Sequence, residues 1–434
     1  MTNMNLWLVQ PQRRLGPAGL IALLVITGLV TPLSLDMYTP AIPHMTEHFN
    51  ADAGTVNLTL VGYFLFFAVG LLLFGPVSDR LGRKPVLLAG VATYAAASAL
   101  CALAPTIWAL IAFRVAQALG AGAVGAVSTA VVKDAVVPEK RETVLSVVQV
   151  MFVVGPVLAP VLGALVLQVA DWRMTFWLLS LVGVFCGVMA LLFEETLPPH
   201  ECLHGSVASS LIHLGTVAKN RGFTWFLLVA GLFNLPFMAY IAVGSYVYIS
   251  FFGLSELEYS AYFAVAALFT ATGPLIWMFA SKFVSARKFT SLALGVALAT
   301  GISMLAVGEA SPVAFCIIML AFALCESAIR PYSTNILLSQ QEGDTGAASS
   351  LINFANTAVG SVGMALAVLP WPNFVVGIGA IITGTMVVAG VLWVTLLKSK
   401  VPLVGIKEAT TPGSPRVVAN GEAIEAGEIA SKGR

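Results

Sequence analysis

The chain has 434 residues, of which 58% are hydrophobic and only 10% charged, and its formal net charge is +1. A soluble domain carries roughly 25% charged residues, so the composition excludes an ordinary soluble protein, and the near-neutral balance excludes an electrostatic nucleic-acid binder. Five cysteines (Cys101, Cys186, Cys202, Cys316 and Cys325) form no CxxC pair and four lie in apolar runs, which argues against a disulfide or zinc framework.

Arg13 and Arg14 precede an apolar run longer than the core of a secretory signal, so it reads as a retained first helix. A membrane-crossing helix needs about 20 mostly apolar residues. Twelve such windows follow one another: 15–38, 55–77, 85–104, 107–132, 144–168, 174–193, 223–250, 259–281, 289–308, 312–334, 347–369 and 374–397. The pattern predicts an all-α polytopic membrane protein. With both termini in the cytoplasm, 19 of the 22 Lys and Arg fall on inner segments, as the positive-inside rule requires. The longest internal connection divides the chain into two six-helix halves, 1–195 and 223–400, joined by a cytoplasmic loop at 196–222 and followed by a polar, disordered tail at 401–434. A faint internal repeat agrees: GRKP after span two returns as ARKF, and VVGP in span five returns as AVGS in span eleven. Such parallel repeats build a central site between halves that rock against each other.

The segment FGPVSDRLGRKP, between spans two and three, combines a Gly turn, a helix-terminal acid and a basic cluster. It resembles the signature loop of the major facilitator superfamily, G-x-x-x-D-R-x-G-R-[KR]. Gly75, Asp79, Arg80, Gly82, Arg83 and Lys84 match position by position. The physical expectation is a cytoplasmic latch: Gly82 permits the turn, and charge-assisted bonds, including one from Arg83 to Asp134, hold the halves together in one state. Span four contains RVAQALGAGA, similar to the family's R-x-x-Q pattern. Span five contains GPVLAPVLG, whose Gly155, Pro156, Pro160 and Gly163 resemble the antiporter motif. With LDMYTPAIP in span one, the resemblance is to the twelve-span drug:proton antiporters, in particular the Bcr/CflA-like bacterial exporters of phenicols and other drugs. It implies a monomeric, proton-coupled multidrug exporter of the bacterial inner membrane, with no cofactor or metal. Gly120, Gly122 and Gly125 also spell G-x-G-x-x-G, but in mid-span these glycines read as helix-packing positions, not a dinucleotide loop.

Intramembrane charges cost roughly 2.5–3.5 kcal/mol on insertion scales and point to function. Asp36 lies in the outer part of span one, and Arg114 roughly 10 Å below the outer end of span four. Their depths predict that Asp36 alternates between a proton, Arg114 or its neighbour Gln117, and substrate. The resemblance places the family's first-span acid at Asp36, and it places Gly28 where some members hold a second acid. One acid implies one proton per cycle, which suits a neutral cargo. Glu326 and Arg330 in span ten stand at i and i+4 and predict either an intrahelical salt bridge or a gate and second proton site. Tyr38, Met151, Asn234, Phe237, Tyr240, Asn353 and Asn356 are candidates for a mostly apolar drug pocket. His44 and His48 read as outer-surface residues. His200, Cys202 and His204 read as solvated loop residues rather than a metal site. A metabolite symporter of the same fold is the competing function and needs basic residues in the cavity. No catalytic grouping of an enzyme is visible in the sequence.

Overall fold

The computed structural model describes residues 7–9, 12–197, 215–341 and 345–406. The expected loop pattern at His200, Cys202 and His204 and most of the tail lie outside the described residues. The first half contains α1 (Gly16–Asp36), α2 (Ile42–Phe49), α3 (Ala53–Leu81), α4 (Arg83–Ala102), α5 (Ile107–Ala135), α6 (Pro138–Leu167) and α7 (Arg173–Leu192). The second contains α8 (Arg221–Ser245), α9 (Glu256–Thr270), α10 (Gly273–Ala280), α11 (Ala286–Val307), α12 (Pro312–Leu338), α13 (Thr345–Ala367) and α14 (Phe374–Lys398). Eleven helical segments among the described residues are long and apolar enough to cross a membrane. The twelfth expected span, 144–168, falls on α6, which is 30 residues long and mostly apolar from Val144 on. The architecture is the twelve-helix fold in two six-helix halves.

Local sequence fixes where these helices begin. Asp52, Thr106, Asn220, Ser311 and Asn373 each accept a hydrogen bond from a main-chain N–H in the first turn of the following helix. Ser255 and Glu258 form a reciprocal capping box at the start of α9. The span expected at 259–281 is found as one apolar segment, Glu256–Ala280, with a local interruption between α9 and α10. Pro274 cannot donate there, and Gly273 lies against Ser327 and Ala328 of α12, leaving no room for a Cβ. Span one, expected at 15–38, ends with α1, and a 3-10 turn over Thr39–Ala41 that contains Pro40 leads on to α2.

Small residues set the helix spacing. A Cβ on Gly120 would stand 2.7 Å from the Gly90 carbonyl oxygen of α4, and one on Gly122 2.7 Å from the Phe67 carbonyl oxygen of α3. The G-x-G-x-x-G stretch is therefore a packing surface of α5 on two neighbours. The repeat detected in sequence has a structural counterpart. Gly155 of α6 lies against Pro32 of α1 and Gly163 against the Met37 carbonyl; in the second half, Gly360 of α13 lies against Met238 and Gly363 against the Leu235 carbonyl of α8.

The end of the bundle where α1 begins and α14 finishes is termed basal, the opposite end distal. The four hydrogen bonds described between the halves all lie at the distal end. His44 Nε2 pairs with Glu256 Oε1 at 2.8 Å, and Asn57 Nδ2 donates to the Met364 carbonyl at 2.7 Å. The Tyr259 hydroxyl donates to Thr39 Oγ1 at 3.2 Å, and Ser260 Oγ donates to the Pro160 carbonyl at 2.9 Å. The halves are closed against each other distally. His44, expected on the outer surface, is thus also a bridge between halves. At the basal end the chain stays packed beyond α14 as far as the described residues run, with Leu403 buried and the main-chain N–H of Val404 donating to Gln340.

Candidate functional site

Asp36 is the last residue of α1 and is 5% exposed. Its main-chain carbonyl accepts from Thr39 Oγ1 at 2.8 Å, the same hydroxyl that accepts from Tyr259 of the other half. No hydrogen bond or ion pair to its carboxylate is found among the described residues. Close approach of α6 fixes this position, because Gly163 allows the Met37 carbonyl to sit against it. The acid lies beneath the distal seam, at the junction of α1, α6 and α9.

Arg114 does not reach it. The guanidinium is wholly buried; Nη1 donates to the Ser34 carbonyl at 3.0 Å and to Gln117 Oε1 at 2.7 Å. Gln117 Nε2 in turn donates to Ser98 Oγ at 2.7 Å. The guanidinium carbon stands 4.5 Å from the centre of the Tyr38 ring and 4.2 Å from that of Tyr63, a cation–π sandwich, while Nε and Nη2 find no acceptor. The pair expected from matching depths is therefore not formed. Depth sets the height of a side chain, but the direction it faces around the helix decides its partner, and Ser34, which bonds Tyr94 of α4, occupies the face of α1 turned to Arg114.

A second cluster lies between α8, α12 and α13. Arg330 Nη2 donates to Glu326 Oε1 at 2.7 Å and to Asn234 Oδ1 at 3.3 Å, and Asn234 Nδ2 donates to the Asn356 carbonyl at 2.7 Å. The salt bridge expected within one helix is thus also a link among three. Its two side chains differ in setting: Glu326 is 4% exposed and Arg330 56%. With Leu227, Ile329, Ile352 and Leu337 these residues line an open cavity between the three helices.

Of the other pocket candidates, Asn234 and Asn356 line this cavity. Asn353, one turn before Asn356, is exposed outside it. Tyr38 is sealed in the first half, hydrogen-bonded to Thr59. Tyr240 is stacked on Phe263 in the interior of the second half. Phe237 packs half-buried against the core. Met151 lies on α6 facing Gly28, with Val148 beside it, so an acid at Gly28 would meet the α6 surface.

The signature loop folds into a charge cluster around Arg83. Its guanidinium donates to Asp79 Oδ1 at 2.5 Å, Asp134 Oδ2 at 2.7 Å and Ser78 Oγ at 2.7 Å. Gly82 has φ +95°, a conformation that favours glycine. Beneath it Glu195 accepts from the main-chain N–H groups of Arg83 and Lys84 at 2.9 and 3.0 Å. No signal in the sequence singled out Glu195. All these partners belong to the first half, so the expected latch between halves is not engaged in this distally closed state. Arg80 is exposed, and Gly75 has open space around its Cα.

Residues 24–364 match the model of the Major Facilitator Superfamily. An uncharacterized MFS-type transporter of Bacillus subtilis (strain 168), YdgK, is 29% identical over 395 residues, covering 90% of this chain and 97% of its own. The multidrug resistance protein MdtL of Escherichia coli O139:H28 is 27% identical over 385 residues, covering 86% and 93%. Among solved structures, a D-xylose-proton symporter matches with TM-score 0.66 at 16% identity over 89% of this chain and 98% of that one. A bacterial homolog to the human lysosomal transporter Spinster, inward-facing and unoccupied, matches with TM-score 0.67 at 16% identity over 87% and 94%. Such low identities speak to the fold alone. The two-half helical architecture, the signature-loop cluster and the family match over most of the chain agree: this multi-pass membrane transporter belongs to the major facilitator superfamily.

Proposed function

We propose that the protein exports small, mostly apolar compounds of the kind used as antibiotics, in exchange for protons and by alternating access, with Asp36 as the coupling acid. The Lys and Arg concentrated on basal connections support a cytoplasmic basal end in a bacterial inner membrane. A distal opening would then face outward.

The observation that carries this reading is the burial of Asp36, without a partner, under the contacts that close the distal end. An ionised carboxylate so placed bears a desolvation penalty of several kcal/mol, which a bound proton removes. Opening the seam would hydrate the acid and let it load a proton from outside; closing it would carry that proton inward. Exchange then requires that cargo and proton exclude each other, so that cargo binding from the basal side releases the proton there. The likeness to a multidrug resistance protein supports drug-type cargo.

The test compares drug susceptibility and proton-driven efflux in cells producing the wild type or Asp36→Asn at equal membrane levels. Wild type should protect and the variant should not. Proton-dependent efflux at full rate in Asp36→Asn overturns the reading. A proton-coupled metabolite importer of the same fold is the second reading, favoured by one observation, the exposed Arg330 in the cavity. Inward movement of cargo with protons in proteoliposomes would select it.

A further inference from the structure

The membrane-embedded part of the chain holds two arginines that lie within spans, and they have opposite settings. Arg114 is enclosed by Tyr38 and Tyr63, so no cargo can touch it. Arg330 stands well inside α12 with 56% of its side chain exposed, on the wall of the cavity between α8, α12 and α13. Arginine within a span is rare and faces a water-filled cavity or the bundle interior when it occurs.

We infer that Arg330 is the cargo-recognition residue of this cavity, and that the cargo presents a carboxylate or comparable anionic oxygen on an apolar body. The inference rests on the transporter reading above and adds a substrate class to it. Three facts support it. First, a guanidinium has five N–H donors in a fixed fork, and the described bonds of Arg330 engage Nη2 alone. The N–H groups on Nε and Nη1 have no acceptor among the described residues, and each can give a charge-assisted hydrogen bond to an anionic oxygen. Second, the group is held from behind. Glu326, nearly buried, and Asn234, itself tied to Asn356, fix the Nη2 edge. A cargo oxygen can therefore bind at Nε or Nη1 without displacing Glu326, and the guanidinium is the more exposed of the two charges that line the cavity. Third, Leu227, Ile329, Ile352 and Leu337 supply apolar walls for the rest of the molecule.

The energetics agree with export. One charge moved through 100 mV is worth about fiftyfold in concentration ratio. Exchange of a neutral compound for one proton moves one charge; exchange of an anion for one proton moves two, because the interior-negative potential also drives the anion out. A single coupling acid is then enough for a steeper gradient.

The probe pair is 9-anthroate and its methyl ester, which share a ring and differ in charge. Their affinities for the full-length protein in lipid nanodiscs are read by fluorescence at pH 7.5. The acid should bind wild type at least tenfold more tightly than the ester, Arg330→Gln should bring the two affinities together, and Arg330→Lys, which keeps the charge but loses the guanidinium donors, should retain an intermediate preference. Equal binding of acid and ester to wild type, binding of neither, or an undiminished preference in Arg330→Gln overturns the inference. The wild-type comparison needs no variant to fold. Failure here is separable from failure of the export reading: Asp36-dependent efflux of the ester without acid preference leaves export standing. Acid preference combined with proton-driven uptake leaves Arg330 standing and removes export.

Discussion

Arg114 hydrogen-bonds the main-chain carbonyl of Ser34 at 3.0 Å, and the carboxylate of Asp36, two residues further along α1, receives nothing from it. Successive helical residues turn by about 100°, so positions 34 and 36 face roughly 200° apart. One face of α1 is thereby fastened to α4 and α5, while the other meets α6 and the second half. Arg114 holds the helix that carries the acid.

Arg114→Lys should therefore act on stability rather than on proton affinity. An ammonium cannot keep both hydrogen bonds and the planar stacking on Tyr38 and Tyr63, and the loss should amount to about 1–3 kcal/mol. Thermal unfolding in detergent should show a lowered midpoint. The pH midpoint of transport should stay at the wild-type value; a shifted midpoint would mean that Arg114 meets Asp36 during the cycle.

Gly163 and Gly75 predict opposite outcomes for the same substitution. A Cβ on Gly163 meets the Met37 carbonyl, whereas one on Gly75 meets nothing within 4 Å. Gly163→Ala should push α1 from α6, destabilise by about 1–3 kcal/mol and misplace Asp36, abolishing coupling. Gly75→Ala should leave the unfolding temperature of this state unchanged or slightly raised. Equal effects of the two changes would contradict the packing described.

Around Arg83 the ranking of substitutions follows burial. The side chain of Asp134 is 16% exposed and that of Asp79 35%. Asp134→Asn should cost about 1–3 kcal/mol and Asp79→Asn less, since solvent screens the more exposed pair. Glu195→Gln should also destabilise, by about 0.5–2 kcal/mol, because a carboxylate at the start of α4 answers two main-chain donors. Thermal unfolding of the three variants gives the order directly.

His44 and Glu256 offer a reporter of distal closure. Their side chains touch across the halves at 2.8 Å while remaining 51% and 31% exposed, so the contact itself contributes little to stability. Cysteines placed at both positions should be bridged in the distally closed state by a short cleavable thiol-reactive cross-linker, which should stop transport until it is cleaved. Transport at the full rate by the cross-linked form would show that this seam never opens.

The fold was largely legible because each span had to satisfy its own backbone within lipid, so length and hydropathy announce it locally. The local interruption of span eight was not legible, because it accompanies Gly273 meeting Ser327, a contact between distant segments. The Arg83–Asp134 bond was foreseeable from charge and position, whereas Glu195 sits after α7 in a stretch with no pattern. Among pocket candidates, composition alone could not separate Asn356, which lines the cavity, from Asn353, which does not.

By itself the sequence determined the twelve spans, several of the glycines where backbones meet and the two acids and two arginines that lie within spans. The tertiary structure decided which of those charges are paired, sealed or presented. Hydropathy and capping act within one helix, but a partner is chosen by direction around the helix and by what stands across from it. That choice enclosed Arg114 in a ring of aromatics, exposed Arg330 to a cavity and left Asp36 alone beneath the seam between the halves.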